Sequence, residues 1–394
     1  MKWASSISEK EDLKSALFDA SEQIKLQFGN QRPDLIFIFL SPHYQPDWNK
    51  IPQWVEEMLA PRHLLGCSGG GIVGRGEEIE RRPALSLTAA LLPEVEIIPF
   101  CFQNDALPTL KSDRRIWEKL MGVAFEQTPH FILLPDPFSF DLSLLLNGLD
   151  FAFPWSKKLG GMASGAQEPG GNALFCGKEV LHTGIVGVAL SGNIVVDSLV
   201  AQGCRPIGKP LIVTRCHANH IEQFDGRAPF EIMRELYEAL PPEDQQLFKT
   251  SLFLGLGMKE GKENCQKGDF LIRNILGLDP QGGALAVGAV PHEKQVIQFH
   301  VRDAETSTQD LEMTLESYGE NFNSAPAQGA LLFSCMGRGF YLYGRPNHDS
   351  QIFKQSVGEI PLGGFFCNGE IGSVAGKTYL HGYTSAFGIF RPRH

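Results

Sequence analysis

The chain has 394 residues, 43% hydrophobic and 20% charged, an ordinary globular balance with room for about two domains. Its 35 Lys and Arg against 45 Asp and Glu leave a formal net charge of −10 without a basic run, which argues against nucleic acid as a partner. There is no apolar stretch of about 18 residues to span a membrane and no signal-peptide core; eight scattered cysteines read as reduced thiols, so a cytoplasmic protein is expected.

From the N-terminus, Ser8-Glu9-Lys10-Glu11 has the form of a capping box. It predicts a helix with Leu13, Leu17, Ala20 and Ile24 on one face, ended by Gly29-Asn30. Leu35 to Leu40 is a continuous apolar run of strand length, fitting a strand buried on both faces. Ile51, Trp54, Val55, Met58 and Leu59 then form a helical stripe. It leads into a glycine burst, Leu65-Gly66-Cys67-Ser68-Gly69-Gly70-Gly71, and strands are predicted at 84–92 and 95–101. After a helix over 114–125 the order repeats: an apolar strand at 131–134, a helix capped by Asp141, the burst from Leu159 to Gly165, and strands to about residue 199. It recurs near the C-terminus, with a strand at 330–334, a helix at 347–357, the burst from Leu362 to Glu370 and a strand region over 378–390. Strand start and burst leucine are 30, 28 and 32 residues apart, the regularity of an internal duplication. The stretch 211–301, with strands and one helix, is a candidate fourth, drifted unit, and Gly203 to Pro210 is the best candidate boundary.

Glycine clusters let backbone amides approach a ligand closely, so the bursts are candidate binding segments. Gly69-Gly70-Gly71-Ile72-Val73-Gly74 matches the dinucleotide fingerprint, and Gly66-Cys67-Ser68-Gly69-Gly70 matches the serine-hydrolase elbow. Both motifs need a helix to follow, and the sequence continues instead into charged residues and a strand. Cys216-His217-Ala218-Asn219-His220 offers metal-ligand types with only Cys204 near as a fourth, so strand and loop residues are the plainer reading. No metal and no cofactor is expected. Cys335-Met336-Gly337-Arg338-Gly339 follows an apolar strand, where α/β folds place ligand sites. There an arginine between glycines can hold a carboxylate or phosphate, and it can also form a structural ion pair. Asn368-Gly369-Glu370 adds an amide and a carboxylate that can receive an ammonium or pair with Arg338; Arg273-Asn274 and Asp279 flank a further strand.

Four segments together resemble the FIST family (F-box and intracellular signal transduction proteins). They are Leu65–Gly71, Leu271–Asp279, Cys335–Gly339 and Gly363–Gly372. The resemblance implies an N-terminal module over 30–205 and a C-terminal module over 206–394, after an N-terminal helix in 1–29. It further implies a small-molecule-binding sensory domain acting in signal transduction. Because it spans nearly the whole chain, no kinase, cyclase or F-box module is expected, and output runs through a separate signalling partner. The expected fold is α/β: two halves of repeated strand–helix–glycine loop–strand units with mixed sheets, the glycine loops facing a central or interdomain cleft. The candidate ligand residues are Gly66, Cys67, Ser68, Gly69, Arg273, Cys335, Gly337, Arg338, Gly339, Gly363, Gly364, Asn368 and Glu370. Arg338 would hold a carboxylate and Glu370 an ammonium. Two other classes stay open: an enzyme with Cys335 or Ser68 as nucleophile, and a protein-interaction scaffold.

Overall fold

Leu35, Phe37 and Phe39 face one hydrophobic core while Ile36, Ile38 and Leu40 face another, so the apolar run at 35–40 is a strand with both faces covered. The computed structural model describes residues 1–29, 31–262, 265–266, 268–279, 283–321 and 326–393. Asn30, expected at the end of the first helix, lies outside these residues; Gly29 caps that helix with φ 65°.

The first repeat comprises β1 (Lys2–Ser8), α1 (Leu13–Phe28), β2 (Leu35–Leu40), α2 (Ile51–Leu59), β3 (His63–Ser68), β4 (Gly71–Gly74), β5 (Glu77–Glu80) and β6 (Leu85–Leu91). The second comprises β7 (Val95–Phe102), α3 (Arg114–Met121), β8 (His130–Pro135), α4 (Leu142–Ala152), β9 (Lys158–Gly161), β10 (Leu174–Cys176), β11 (Glu179–Leu181) and β12 (Ile185–Gly192). The third begins with β13 (Val195–Ala201) and is interrupted by β14 (Arg205–His217), β15 (His220–Phe224), α5 (Pro229–Ala239), α6 (Pro242–Thr250), β16 (Leu252–Gly257), β17 (Phe270–Leu278), β18 (Leu285–Val287) and β19 (Val296–Val301). It resumes with α7 (Ala304–Asn321), β20 (Gly329–Cys335), α8 (Phe340–Tyr343), α9 (His348–Val357), β21 (Leu362–Cys367), β22 (Glu370–Val374), β23 (Lys377–His381) and β24 (Ser385–Arg391).

Three six-stranded sheets follow one plan: β1-β6-β2-β3-β10-β11, β7-β12-β8-β9-β22-β23 and β13-β24-β20-β21-β4-β5. In each, the first apolar strand runs parallel to the glycine-bearing strand and antiparallel to the repeat's last strand. The outer hairpin of each sheet comes from a different repeat: β10–β11 joins the first repeat's sheet, β22–β23 the second's and β4–β5 the third's. One face of all three sheets contributes to a shared core that includes Phe39, Leu134, Phe333 and Phe365. The opposite faces are covered by α1 and α2, by α3 and α4, and by α7 and α9.

Several expectations are corrected. Residues 2–8 form a strand paired along its length with β6, so Ser8 ends β1 and the N-cap of α1 is Asp12, which accepts from the Ser15 N–H. The leading glycines of the bursts sit within β3, β9 and β21, and only the residues after them form loops. Residues 211–301 are not a fourth repeat. They belong to a closed barrel ordered β14-β15-β18-β17-β16-β19, whose neighbouring strands are all antiparallel and whose core includes Val213, Ile221, Phe224, Leu254 and Phe299. Chain contacts define two compact units: 1–201 with 311–380 and 384–394, and 202–310 with 381–383. Asp141 caps α4 as expected, accepting from the Leu144 N–H.

Candidate functional site

The three glycine strands meet their parallel neighbours with one shared requirement. Gly66 lies beside Ile38, Gly160 beside Leu133 and Gly364 beside Leu332. A Cβ at these glycines would stand 1.8, 1.9 and 1.9 Å from the neighbour's carbonyl oxygen, so no side chain fits. Gly160 and Gly364 also hold φ near +150°, at 152° and 146°, a region other residues rarely adopt. These glycines therefore have a packing reason that is independent of any ligand. Gly363 has one too, since its Cβ would meet the Thr88 Oγ1 at 1.7 Å.

Past these glycines the three segments converge at the C-terminal ends of the parallel strands. Ser164 joins them: its N–H donates to the Ser68 carbonyl at 3.1 Å, its hydroxyl donates to the Phe366 carbonyl, and that hydroxyl accepts from the Gly70 N–H at 2.9 Å. The Met162 N–H donates to the Gly369 carbonyl at 2.9 Å, and the Asn368 N–H donates to the Met162 carbonyl at 3.2 Å. Met336, 41% exposed, lies across Gly70, whose Cβ would stand 2.3 Å from its methyl carbon. Asn368 and Gly165 are exposed at this junction, while Gly70, Cys335 and Gly337 are half-buried.

Several of the sequence-predicted residues lie inside the protein. Ser68 is fully buried: its hydroxyl donates to Asn172 Oδ1 at 3.3 Å and accepts from the Ala173 N–H at 3.2 Å. The chain leaves it through Gly69-Gly70 into β4, so neither glycine motif is followed by a helix. Cys67 and Gly69 are buried as well, and burial pushes the Cys67 thiol well above its ordinary range, away from the reactive thiolate. Arg338 is fully buried, its Nε and Nη2 donating to the two carboxylate oxygens of Asp349 at 2.8 and 3.0 Å. Asp349 also accepts from Ser334, Ser385 and His348 Nδ1. Burial alone would raise the Asp349 carboxyl, yet the Arg338 guanidinium and these donors hold it well below the usual carboxylate range. The guanidinium fork expected to hold a ligand carboxylate is thus occupied by the protein's own.

Glu370 is also fully buried and is held by the protein itself: it accepts from the Thr384 N–H at 3.0 Å and hydroxyl at 2.7 Å, and from the Cys367 thiol at 3.5 Å. Gly339 packs against the Glu80 carboxylate, which accepts from the Phe340 N–H at 2.7 Å. Arg273 lies on β17 of the barrel, donating to the Ile272 carbonyl at 2.8 Å, and belongs to the other compact unit. Cys216 to His220 forms the β14–β15 hairpin end, with His217 opposite His220. Of the candidates, the structure brings Cys67, Ser68, Gly69, Cys335, Gly337 and Asn368 to the shared strand ends, keeps Gly66 within β3 and Gly363 and Gly364 near the start of β21, and places Arg273 in the other compact unit.

The sequence reading missed Ser164, Asp349, Asp136, Asn172 and Glu78. Asp136 and Asn172 sit beneath the junction, with Asn172 Nδ2 donating to Asp136 Oδ1 at 3.1 Å. Glu78, on the exchanged β5, accepts from the Ser350 N–H and hydroxyl, both at 2.7 Å. Its other oxygen is buried without a hydrogen-bond partner among the described residues. Burial first, and the neighbouring Asp349 charge second, raise the Glu78 carboxyl to about 7. Ser164 was within reach, since it stands in the second burst.

A FIST N domain model matches residues 34–227 and a FIST C domain model matches residues 229–373. An uncharacterized protein of Mycobacterium tuberculosis is 35% identical over 98% of both chains, and one of Mycobacterium bovis is 34% identical over 96% of both. An F-box/LRR-repeat protein of Arabidopsis thaliana is 30% identical over 24% of this chain and 20% of its own. The crystal structure of cyanuic acid hydrolase from A. caulinodans aligns over 99% of both chains with 9% identity and a TM-score of 0.33. Among the described residues, no helix is long and apolar enough to cross a membrane. With its N and C domains together covering most of its length, the chain belongs to the FIST family.

Proposed function

We propose that this FIST protein is a sensory protein that binds a small polar molecule, amino-acid-like or anionic, where its three glycine segments meet, and acts in signal transduction through a separate partner. One observation carries the reading: Ser164 hydrogen-bonds the segments of all three repeats at a single point that is open to solvent along one side. The groups offered to a ligand are the Asn368 amide, the Cys335 thiol and the backbone around Gly70, Gly165 and Gly337. Met336 is a displaceable cover, because an unbranched thioether adapts its shape at little cost. Arg338 and Glu370 act from below, fixing the loops that carry Cys335 and Asn368 rather than touching the ligand.

Thermal-shift screening of the whole chain against polar metabolites, amino acids included, tests this, since a specific ligand raises stability by linkage. Hits are then titrated against Asn368→Ala and Met336→Ala, expected to change affinity about fivefold or more. Hits that bind both variants as tightly as the wild type place the ligand elsewhere. A second reading, a protein-docking surface, draws on Phe340 (55% exposed) and Tyr341 (79% exposed), which open α8 shortly after Met336. A flat response across the library from a folded protein favours it.

A further inference from the structure

We infer that the cleft between α1, the β4–β5 turn and the α9–β21 connection is a second ligand site, taking a small organic anion with a short apolar body. The cleft encloses about 490 Å³, within the range of small-molecule sites. Its charged lining is Arg75, Lys354 and Glu359, two cations to one acid in a chain whose net charge is −10. Arg75 is fixed by its backbone: at φ 52° its N–H donates to the Leu362 carbonyl and to Ser5 Oγ, both at 3.1 Å. Its guanidinium, exposed to solvent, donates from Nη1 to Gln23 Oε1 at 3.1 Å. That contact orients a planar fork suited to carboxylate or phosphate.

Lys354 pairs with Glu359, and both side chains are exposed, so the pair is weak and an incoming anion can compete for the ammonium. Gln23 and Gln27 line the α1 wall with their amides tied to the protein, Gln23 Nε2 donating to the Ile7 carbonyl at 3.0 Å and Gln27 Nε2 to the Ser5 carbonyl at 3.0 Å, so the positive charge for an anion comes from Arg75 and Lys354. The apolar part of the ligand has its own surface: Leu26, 87% exposed on α1, together with Ile360 and Pro361. On the third side Ser350 is held to Glu78 of the exchanged hairpin. An occupant therefore touches elements of the first and third repeats together. This site is separate from the glycine junction, and either can exist without the other.

The test uses phenyl phosphate and benzoate as probes and benzyl alcohol as the uncharged control, measured by thermal shift and calorimetry on the full chain. Expected are a Tm rise with at least one anion and none with benzyl alcohol; which anion is preferred tells phosphate from carboxylate. Arg75→Ala and Lys354→Ala should each weaken the bound anion about tenfold. Arg82→Ala, an exposed arginine paired with Glu9 outside the cleft, should leave it unchanged. No Tm rise with either anion overturns the proposal. So does equal response to benzyl alcohol, or a variant lacking both Arg75 and Lys354 side chains that binds as tightly as the wild type.

Discussion

At the end of β8 the fully buried Asp136 is satisfied by neutral groups alone: the Asn172 amide, the Ser139 hydroxyl at 2.7 Å and the Phe138 N–H at 3.2 Å. Beside the end of β20, Asp349 is equally buried but answers to a buried guanidinium. The two repeats share a strand plan and solve the burial of a carboxylate differently. In the second, the cost of removing a charge from water is spread over dipoles that stay satisfied if one is lost. In the third a buried ion pair is added to the Ser334, Ser385 and His348 donors, so loss of one member of the pair leaves the other charge in the core without its counter-charge. The polar groups at equivalent strand ends are thus free to diverge while the backbone beneath them is not.

That contrast orders the variants. Gly364→Ala should be the most damaging, because its Cβ would meet the Leu332 carbonyl at 1.9 Å whatever the repeat's electrostatics. A loss of about 4 kcal/mol or more, or failure to fold, is expected in urea denaturation. A mild effect would show that the strand pair can separate. Asp349→Ala comes next, at about 3–5 kcal/mol, since it takes from the buried Arg338 the carboxylate that both its Nε and Nη2 bond. Asp136→Asn should cost less, about 1–3 kcal/mol, because an amide keeps one acceptor for its donors; equal losses from these two variants would erase the distinction between the repeats.

The pH dependence separates them further. Glu78, raised to about 7 from 4.5, contributes stability that is fully present below its ordinary value and lost as pH rises through 7. Asp349, held well below its ordinary range, contributes stability present above that range and lost only as pH falls into strong acid. Glu78→Gln should therefore flatten the stability profile between about pH 4.5 and 7 by about 1–2 kcal/mol. An unchanged slope in chemical denaturation across that window would show that Glu78 does not titrate there. Smallest of all, Arg82→Ala removes an exposed pair with Glu9 and should fall within about 0.5 kcal/mol.

Local signals read well from the sequence. The run 35–40, the stripe of α1 and the cap at Asp141 each follow from residues within one turn or one strand. The repetition of strand, helix and glycine burst was legible as well. What escaped depends on partners distant along the chain. Lys2–Ser8 looks polar and small until β6 supplies its pairing from residues 85–91. Gly71–Gly74, short and half glycine, carries little strand signal of its own: it forms a hairpin with β5, and what fixes it in a sheet is β21, almost 300 residues later. Arg338 was singled out, but its partner sits eleven residues on, in the first turn of a helix, where no spacing rule points to it. The glycines signalled a close approach correctly; what approaches is a neighbouring strand first.

The exchanged hairpins make the three repeats a closed ring, each lending two strands to another's sheet. No single repeat can complete its own sheet, so an isolated one has an unfilled edge on one side and a surplus hairpin on the other. Three identical copies of such a piece would satisfy one another only by cyclic, head-to-tail assembly, the geometry of a threefold oligomer. Here the linking peptide between repeats does that work within one molecule. It also frees each copy to change on its own, and it allows the third alone to carry a barrel between β13 and α7.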